Sequence, residues 1–190
     1  MEYDEYIKLV DKYYKNDCRE CNFQNRIIIP FLESIAEEFD VVDVSTLYRN
    51  WKGISREKFA DQYTPDVLVT RHWELGEVNK ETPLLIVEVK TPKARDRVHA
   101  EKEIEEYLKK SNVVILTNCI TWEIYDNRRH KDLYMLETTY SQEYRGKRIQ
   151  YSTDVCCRWE NDEHDIKWNK DADKWNDLRT KLINILRSKN

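Results

Sequence analysis

Hydrophobic positions along the chain change their period several times, and each change marks an element. Tyr3, Tyr6, Ile7, Val10, Tyr13 and Tyr14 recur at helical spacing and predict an amphipathic helix over residues 3–14. Phe23, Ile27, Phe31 and Ile35 predict a second helix from about Glu20 to Glu38, with a kink or break at Pro30. Residues 41–49 read as a strand of mixed polarity, and residues 50–63 are polar and loop-like. A short strand enters through Pro65 and runs Asp66-Val67-Leu68-Val69. After a charged excursion over 71–83, read as a hairpin, the apolar run 84–89 ends at Lys90-Thr91-Pro92, because proline cannot donate to a sheet ladder.

Residues 94–110 have helical composition, with Val98, Ile104, Tyr107 and Leu108 turned inward. Residues 113–116 are continuously aliphatic, the pattern of a strand buried on both faces. Strand, helix, strand in that order predicts parallel strands with a right-handed crossover, and so an α/β fold. Trp122-Glu123-Ile124-Tyr125 alternates like a further strand, and 132–139 reads as one more. Residues 140–168 show no assignable period. A last helix over about 170–188 places Trp175, Leu178, Leu182, Ile185 and Leu186 on one face. No repeat, low-complexity tract or linker divides the 190 residues, which fit a single domain.

Composition narrows the function classes. Lys and Arg number 32 against 36 Asp and Glu, so the chain is rich in charge but carries a net charge of only −4. Coating a polyanion needs a cationic surplus, which is missing. The three glycines, at 53, 76 and 146, are too far apart for a Walker A loop, a GxGxxG turn or a GxSxG elbow. The four histidines, at 72, 99, 130 and 164, cannot form HExxH. The N-terminal Met-Glu-Tyr-Asp-Glu has neither the basic flank nor the apolar core of a signal peptide, and no apolar run is long enough to span a membrane. These features lead to the expectation of a cytoplasmic protein. Five cysteines then read as reduced thiols. Cys18 and Cys21 form a CxxC, but the adjacent Cys156 and Cys157 make a poor second knuckle even with His164 nearby, so a zinc-built binding protein is the weaker reading.

The chemistry concentrates at the ends of two short strands. Side chains alternate along a strand, so Glu88 and Lys90 share one face while Val87 and Val89 take the other. Charges at the end of an apolar strand need partners, because burying them alone costs several kcal/mol (~2–7 for even a neutral polar group). If the strand after Pro65 pairs alongside, Asp66 and Glu88 converge. Two adjacent carboxylates repel, and a hard divalent cation such as Mg²⁺, for which Mn²⁺ can substitute, relieves that repulsion. The main-chain carbonyl of Val89 is a natural additional ligand, and Lys90 is placed to orient water or to balance phosphate charge.

Asp66, Glu88 and Lys90 match the PD-(D/E)xK pattern, and the chain resembles the restriction-endonuclease-like nuclease superfamily. It also resembles the N-terminal nuclease domain of type I restriction motor subunits. The early stretch Asn22-Phe23-Gln24-Asn25-Arg26-Ile27-Ile28-Ile29-Pro30-Phe31-Leu32, the helix Glu103-Ile104-Glu105-Glu106-Tyr107 and the segments Val114-Ile115-Leu116-Thr117-Asn118 and Trp122-Glu123-Ile124-Tyr125 carry that likeness. It covers about residues 18–126, leaving a C-terminal helical extension. The resemblance implies an α/β/α core with a central mixed sheet flanked by helices. It also implies a Mg²⁺-dependent endonuclease acting on DNA, in restriction or another anti-invader role, with Asp66, Glu88 and Lys90 catalytic and Asp66, Glu88, Val89 and Glu20 at the metal. Such a protein works alone, as a homodimer, or within a larger restriction or defence assembly.

Two departures leave alternatives open. In strict register the supporting helix acid falls on Asn22, with Glu20 two residues earlier, and both cannot face one site, because two residues turn a helix by about 200°. Glutamine is usual where this chain has Glu103, which either joins the metal site or is solvated. After the motif, Lys93, Arg95 and Arg97 read as contacts to the phosphate backbone or as a solvated helix start. Lys109 and Lys110, at the other helix end, read as partners of its dipole. Trp122 and Trp175 belong in the core, while Trp159, Trp168 and Tyr63 either touch substrate or pack. The rival to the nuclease is a non-catalytic module of the same fold that binds nucleic acid or protein.

Overall fold

The computed structural model describes residues 1–45, 63–74, 82–92, 97–127, 131–137, 141–144, 147–150 and 166–188; for 97, 98 and the 141–150 segment it describes the backbone alone. The predicted first helix is α1, Tyr3–Asn16, with Tyr3, Tyr6, Val10 and Tyr14 on its buried face. The second is helical throughout but in three pieces: α2 (Glu20–Phe23), a π-helical turn (Gln24–Ile28) and α3 (Ile29–Ala36). Just before Pro30, where a kink or break is expected, the helix widens, and the Ile29 N–H donates to the Gln24 carbonyl five residues back. A proline has no N–H for the usual ladder, and a π-turn is one way a helix absorbs that loss.

Six strands form the main sheet in the order β1 to β6. They are β1 (Asp40–Asp43), β2 (Val67–Thr70), β3 (Leu85–Val89), β4 (Val113–Thr117), β5 (Thr121–Asp126) and β6 (Lys131–Met135). Only β3 and β4 pair in parallel, joined through α4 (Arg97–Tyr107), while the other neighbours are antiparallel, so the sheet is mixed. The predicted strand–helix–strand unit is therefore present. Each of β2, β3 and β4 is buried along its whole length, as the continuous aliphatic run 113–116 predicts for β4.

Helices cover both faces. On one, α1, α3 and α5 (Asp173–Arg187) pack on Val67, Val69, Leu85, Val87, Val89 and Ile115. On the other, Ala100, Ile104 and Tyr107 of α4 pack on Leu68, Ile86, Val114 and Leu116. Odd and even positions of each strand thus feed separate cores, and the chain has the α/β class and flanked mixed sheet expected of it. The larger core centres on aromatic rings: Phe31 lies 4.6 Å from Trp175, 5.4 Å from Trp122 and 5.8 Å from Tyr6 between ring centroids.

Several boundaries differ from the sequence pattern. β1 ends at Asp43, where the carboxylate accepts the N–H and hydroxyl of Ser45 at 3.0 and 2.7 Å, and residues 46–49 of the predicted strand lie outside the described residues. β6 ends at Met135, and Glu137 instead bridges to Trp168. Within 140–168, Ser141–Tyr144 (β7) and Lys147–Gln150 (β8) pair antiparallel as a separate two-stranded sheet. The α4 helix stops at Tyr107, so Lys109 lies beyond its last turn and pairs with Glu106 at 2.6 Å. Among the described residues no helix is long and apolar enough to cross a membrane.

Phe31 is fully buried among three rings. Phe31→Ala is expected to lower unfolding stability by about 3–5 kcal/mol. Urea denaturation checks this, with the slope of the transition unchanged.

Candidate active site

The antiparallel register of β2 and β3 builds the site. Val67 stands opposite Val87, so one residue further out Asp66 stands opposite Glu88. Cross-strand partners share a face, and this face is the one covered by α4. Both acids are buried, Asp66 at 8% and Glu88 at 3% exposure. The Asp66 Oδ2 accepts the Val89 N–H at 2.8 Å, which ties the end of β2 to the end of β3. The sequence expectation that these carboxylates converge is met.

Lys90 follows Glu88 by two positions and lies on the same face. Its ammonium donates to Glu88 Oε1 and sits 3.0 Å from Glu103 Oε2. Its amide N–H continues the ladder to the Thr117 carbonyl at 2.8 Å, holding the strand end in line. Glu103 reaches the site from α4 and is buried, not solvated. Its other oxygen is 3.3 Å from His99 Nε2, one helical turn earlier.

The question of register in the early helix has a geometric answer. Glu20 is half-buried, accepts a hydrogen bond from the Thr91 backbone and feels the charges of Lys90 and Glu103. Asn22 turns away and donates to the Asp17 carbonyl at 3.2 Å. Of the two, Glu20 is therefore the one at the site. Of the three basic residues, Lys93 and Arg95 lie outside the described residues, and Arg97 is placed by its backbone at the start of α4. Trp159 also lies outside them. Tyr63 packs edge-on against the His99 ring at 5.4 Å, and Trp168 donates to Asp11 at 2.9 Å. Both have packing roles here. Cys18 is half-buried, with its thiol 2.9 Å from the Thr91 hydroxyl, and Cys21 is exposed.

Two contacts at the site had no signal in the motif. The Tyr107 hydroxyl donates to Glu88 Oε2 at 3.1 Å, so both oxygens of Glu88 are held. Tyr107 reads as core in the sequence; its position four residues after Glu103 puts both on one helical face and is the pattern that reveals it. Gln24, in the π-turn, donates to the Asp66 carbonyl at 3.2 Å and fixes the backbone that carries the acid. A buried glutamine among apolar helix positions is the only trace of that role in the sequence.

Burial dominates the electrostatics. It pushes Asp66 up to about 7; the Val89 hydrogen bond opposes this and the neighbouring Glu20 adds to it. Burial, then the charge of Asp66, holds Glu88 well above the usual carboxylate range, against the pull of Lys90. Burial also raises Glu20. Burial works against the charge of Lys90, but Glu88, then Glu103 and Glu20, outweigh it and keep the ammonium protonated. One ammonium thus serves four acidic side chains, Glu20, Asp66, Glu88 and Glu103.

The donor set is carboxylate oxygen, which suits a hard divalent cation such as Mg²⁺ or Mn²⁺. Glu103 Oε2 is buried without a hydrogen bond, held only by the charge of Lys90. That surplus of buried oxygen acceptors fits a cation. Among the described residues, no three His, Cys, Asp or Glu side chains already stand as a ligand set.

No family model matches the chain, and no curated protein does. Among solved structures it is similar to a candidate nuclease belonging to DUF820 from Anabaena variabilis ATCC 29413, with 13% identity and a TM-score of 0.41 over 64% of this chain and 70% of that one.

The raised Asp66 makes a linkage prediction for metal-free protein. Between about pH 4 and 7 the folded state holds a proton that the unfolded state has released. The stabilising contribution of protonated Asp66 is full below the unfolded value of 3.8 and is lost as the pH rises through about 7. In EDTA, Asp66→Asn is expected to raise Tm at pH 8 by at least ~2 °C, the effect of about 1 kcal/mol in a chain of this size. At pH 4 the difference should vanish. Calorimetric scans at both pH values check it.

Proposed function

We propose that this protein is a metal-dependent endonuclease that hydrolyses DNA phosphodiester bonds, acting in restriction or another anti-invader role. The observation that carries the reading is the cross-strand meeting of Asp66 and Glu88, with Lys90 on the same face. Asp66 and Glu88, with Glu20 and the Val89 carbonyl, would hold Mg²⁺ or Mn²⁺. When bound, the ion neutralises a phosphate oxygen and acidifies a water molecule.

The chain's own residues do the rest. Lys90 is held protonated, so its role is to donate: it orients the attacking water or balances charge on the pentavalent phosphate. Tyr107 and Gln24 keep Glu88 and the Asp66 backbone in place. Water oxygen forms a bond to phosphorus, the bond to the 3′ oxygen breaks and that oxygen takes up a proton, leaving 5′-phosphate and 3′-hydroxyl ends. Lys93, Arg95 and Arg97 would hold the DNA backbone beside the scissile bond. A second reading, a binding module that does not cut, draws on the engagement of Lys90 with both Glu88 and Glu103, which neutralises part of the site internally.

Plasmid and single-stranded DNA incubated in Mg²⁺, Mn²⁺ and EDTA separate the two. Cleavage is expected with metal and not in EDTA, and Glu88→Ala and Lys90→Ala should each lose about 10²–10³-fold or more in rate. Cleavage that survives either substitution discards the assignment; no cleavage under any metal favours the module. The basic residues have their own readout. Changing Lys93, Arg95 and Arg97 together to Ala should flatten the slope of log affinity against log salt by about 2.7, at ~0.9 per phosphate contact. Fluorescence anisotropy on duplex DNA in Ca²⁺ measures that slope.

A further inference from the structure

Lys90 has two acidic partners, and the proposed reaction uses only one of them. Its ammonium donates to Glu88 Oε1 and lies 3.0 Å from Glu103 Oε2, and the Lys90 side chain is 15% exposed. A buried ammonium cannot lose its partner to water. Yet a divalent cation arriving at Asp66 and Glu88 competes for the same Glu88 oxygen and repels the ammonium across a site of low dielectric. The charge on Lys90 then needs a second seat.

Glu103 supplies it. Its Oε2 is buried and makes no hydrogen bond, although Lys90 is within ion-pairing distance, so its capacity to accept one is unspent. Its Oε1 faces His99 Nε2 at 3.3 Å, which steadies the carboxylate from the other side. Tyr107, one turn further along α4, donates to Glu88 Oε2 and so braces the acid that the metal would take. One face of one helix therefore holds Glu88 through Tyr107 and offers Lys90 an alternative through Glu103.

We propose that Glu103 is a positioning residue that receives the Lys90 ammonium when a divalent cation takes Glu88, so that metal affinity depends on Glu103 through Lys90. This role rests on the metal-site reading above. With Glu103 neutralised, Lys90 stays on Glu88 and competes with the ion. With Lys90 removed, the competition ends and Glu103 loses most of its influence.

Isothermal titration of the full chain with Mn²⁺ tests this without reference to cleavage. Glu103→Gln is expected to raise the Mn²⁺ Kd by about tenfold, and Lys90→Met to lower it. In the Lys90→Met background, Glu103→Gln should change Kd by less than about threefold, the non-additivity that contacting charges show. If Lys90→Met does not fold, Lys90→Gln closes the same cycle. Equal effects of Glu103→Gln in both backgrounds would overturn the role, since Glu103 would then act as a ligand or a plain charge. So would an unchanged Kd in Glu103→Gln protein whose parent binds Mn²⁺. A parent chain that binds no Mn²⁺ overturns the metal-site reading, and this role with it.

Discussion

Asp66 and Glu88 are held side by side by the antiparallel ladder between β2 and β3, and every feature of the site follows from that register. Strand side chains have a period of two, so a slip of one residue would send Glu88 to the aromatic core beneath α1, α3 and α5. Apolar side chains on both faces prevent the slip: Leu68 and Ile86 belong to one core, while Val67, Val69, Leu85 and Val87 belong to the other. The hydrogen bond from the Val89 N–H to Asp66 then closes the strand ends, where the regular ladder stops.

That arrangement puts two carboxylates in a poorly solvated place, and the rest of the site is built to tolerate them. Lys90 is an internal counter-ion, but it is shared with Glu103 and offsets only part of the negative charge. The remainder appears in Asp66 and Glu88, whose pKa values burial raises above the usual carboxylate range. A fold selected for stability alone would replace such a cluster with apolar side chains, because buried ion pairs are often no better than a packed hydrophobic equivalent. Keeping it is consistent with work done by the charges.

The helix α4 has a double task. Ala100 and Ile104 seal the sheet, and Glu103 and Tyr107, on an adjacent stripe, complete the polar site. The early helix is also divided between packing and polar work. Its π-turn inserts a wider ring just before Pro30, where Gln24 reaches back to the Asp66 backbone and Ile27 and Ile28 stay in the core. A bulge of this kind shifts the residues before it around the helix axis relative to those after it. Here Glu20 comes to the site, and Asn22 turns to the Asp17 carbonyl.

Local rules were enough to read the α/β class and the strand–helix–strand unit, because each depends on spacing along the chain, whereas the meeting of Asp66 with Glu88 is decided by the pairing of β2 with β3. Val67-Leu68-Val69 and the run to Val89 announce strands, and Glu88 and Lys90 share a face by the parity of a strand. The end of β1 was not legible, since it rests on the Asp43 carboxylate accepting the Ser45 N–H and hydroxyl just after the Val44 N–H has bonded the Asp66 carbonyl. Nor was the choice between Glu20 and Asn22, or the burial of Glu103, or the bond from Tyr107 to Glu88. Those depend on how α2 and α4 are rotated and packed against the sheet. Periodicity states which face of a helix is apolar; which charged residue at the edge of that face meets a partner is decided by distances between elements far apart in the chain.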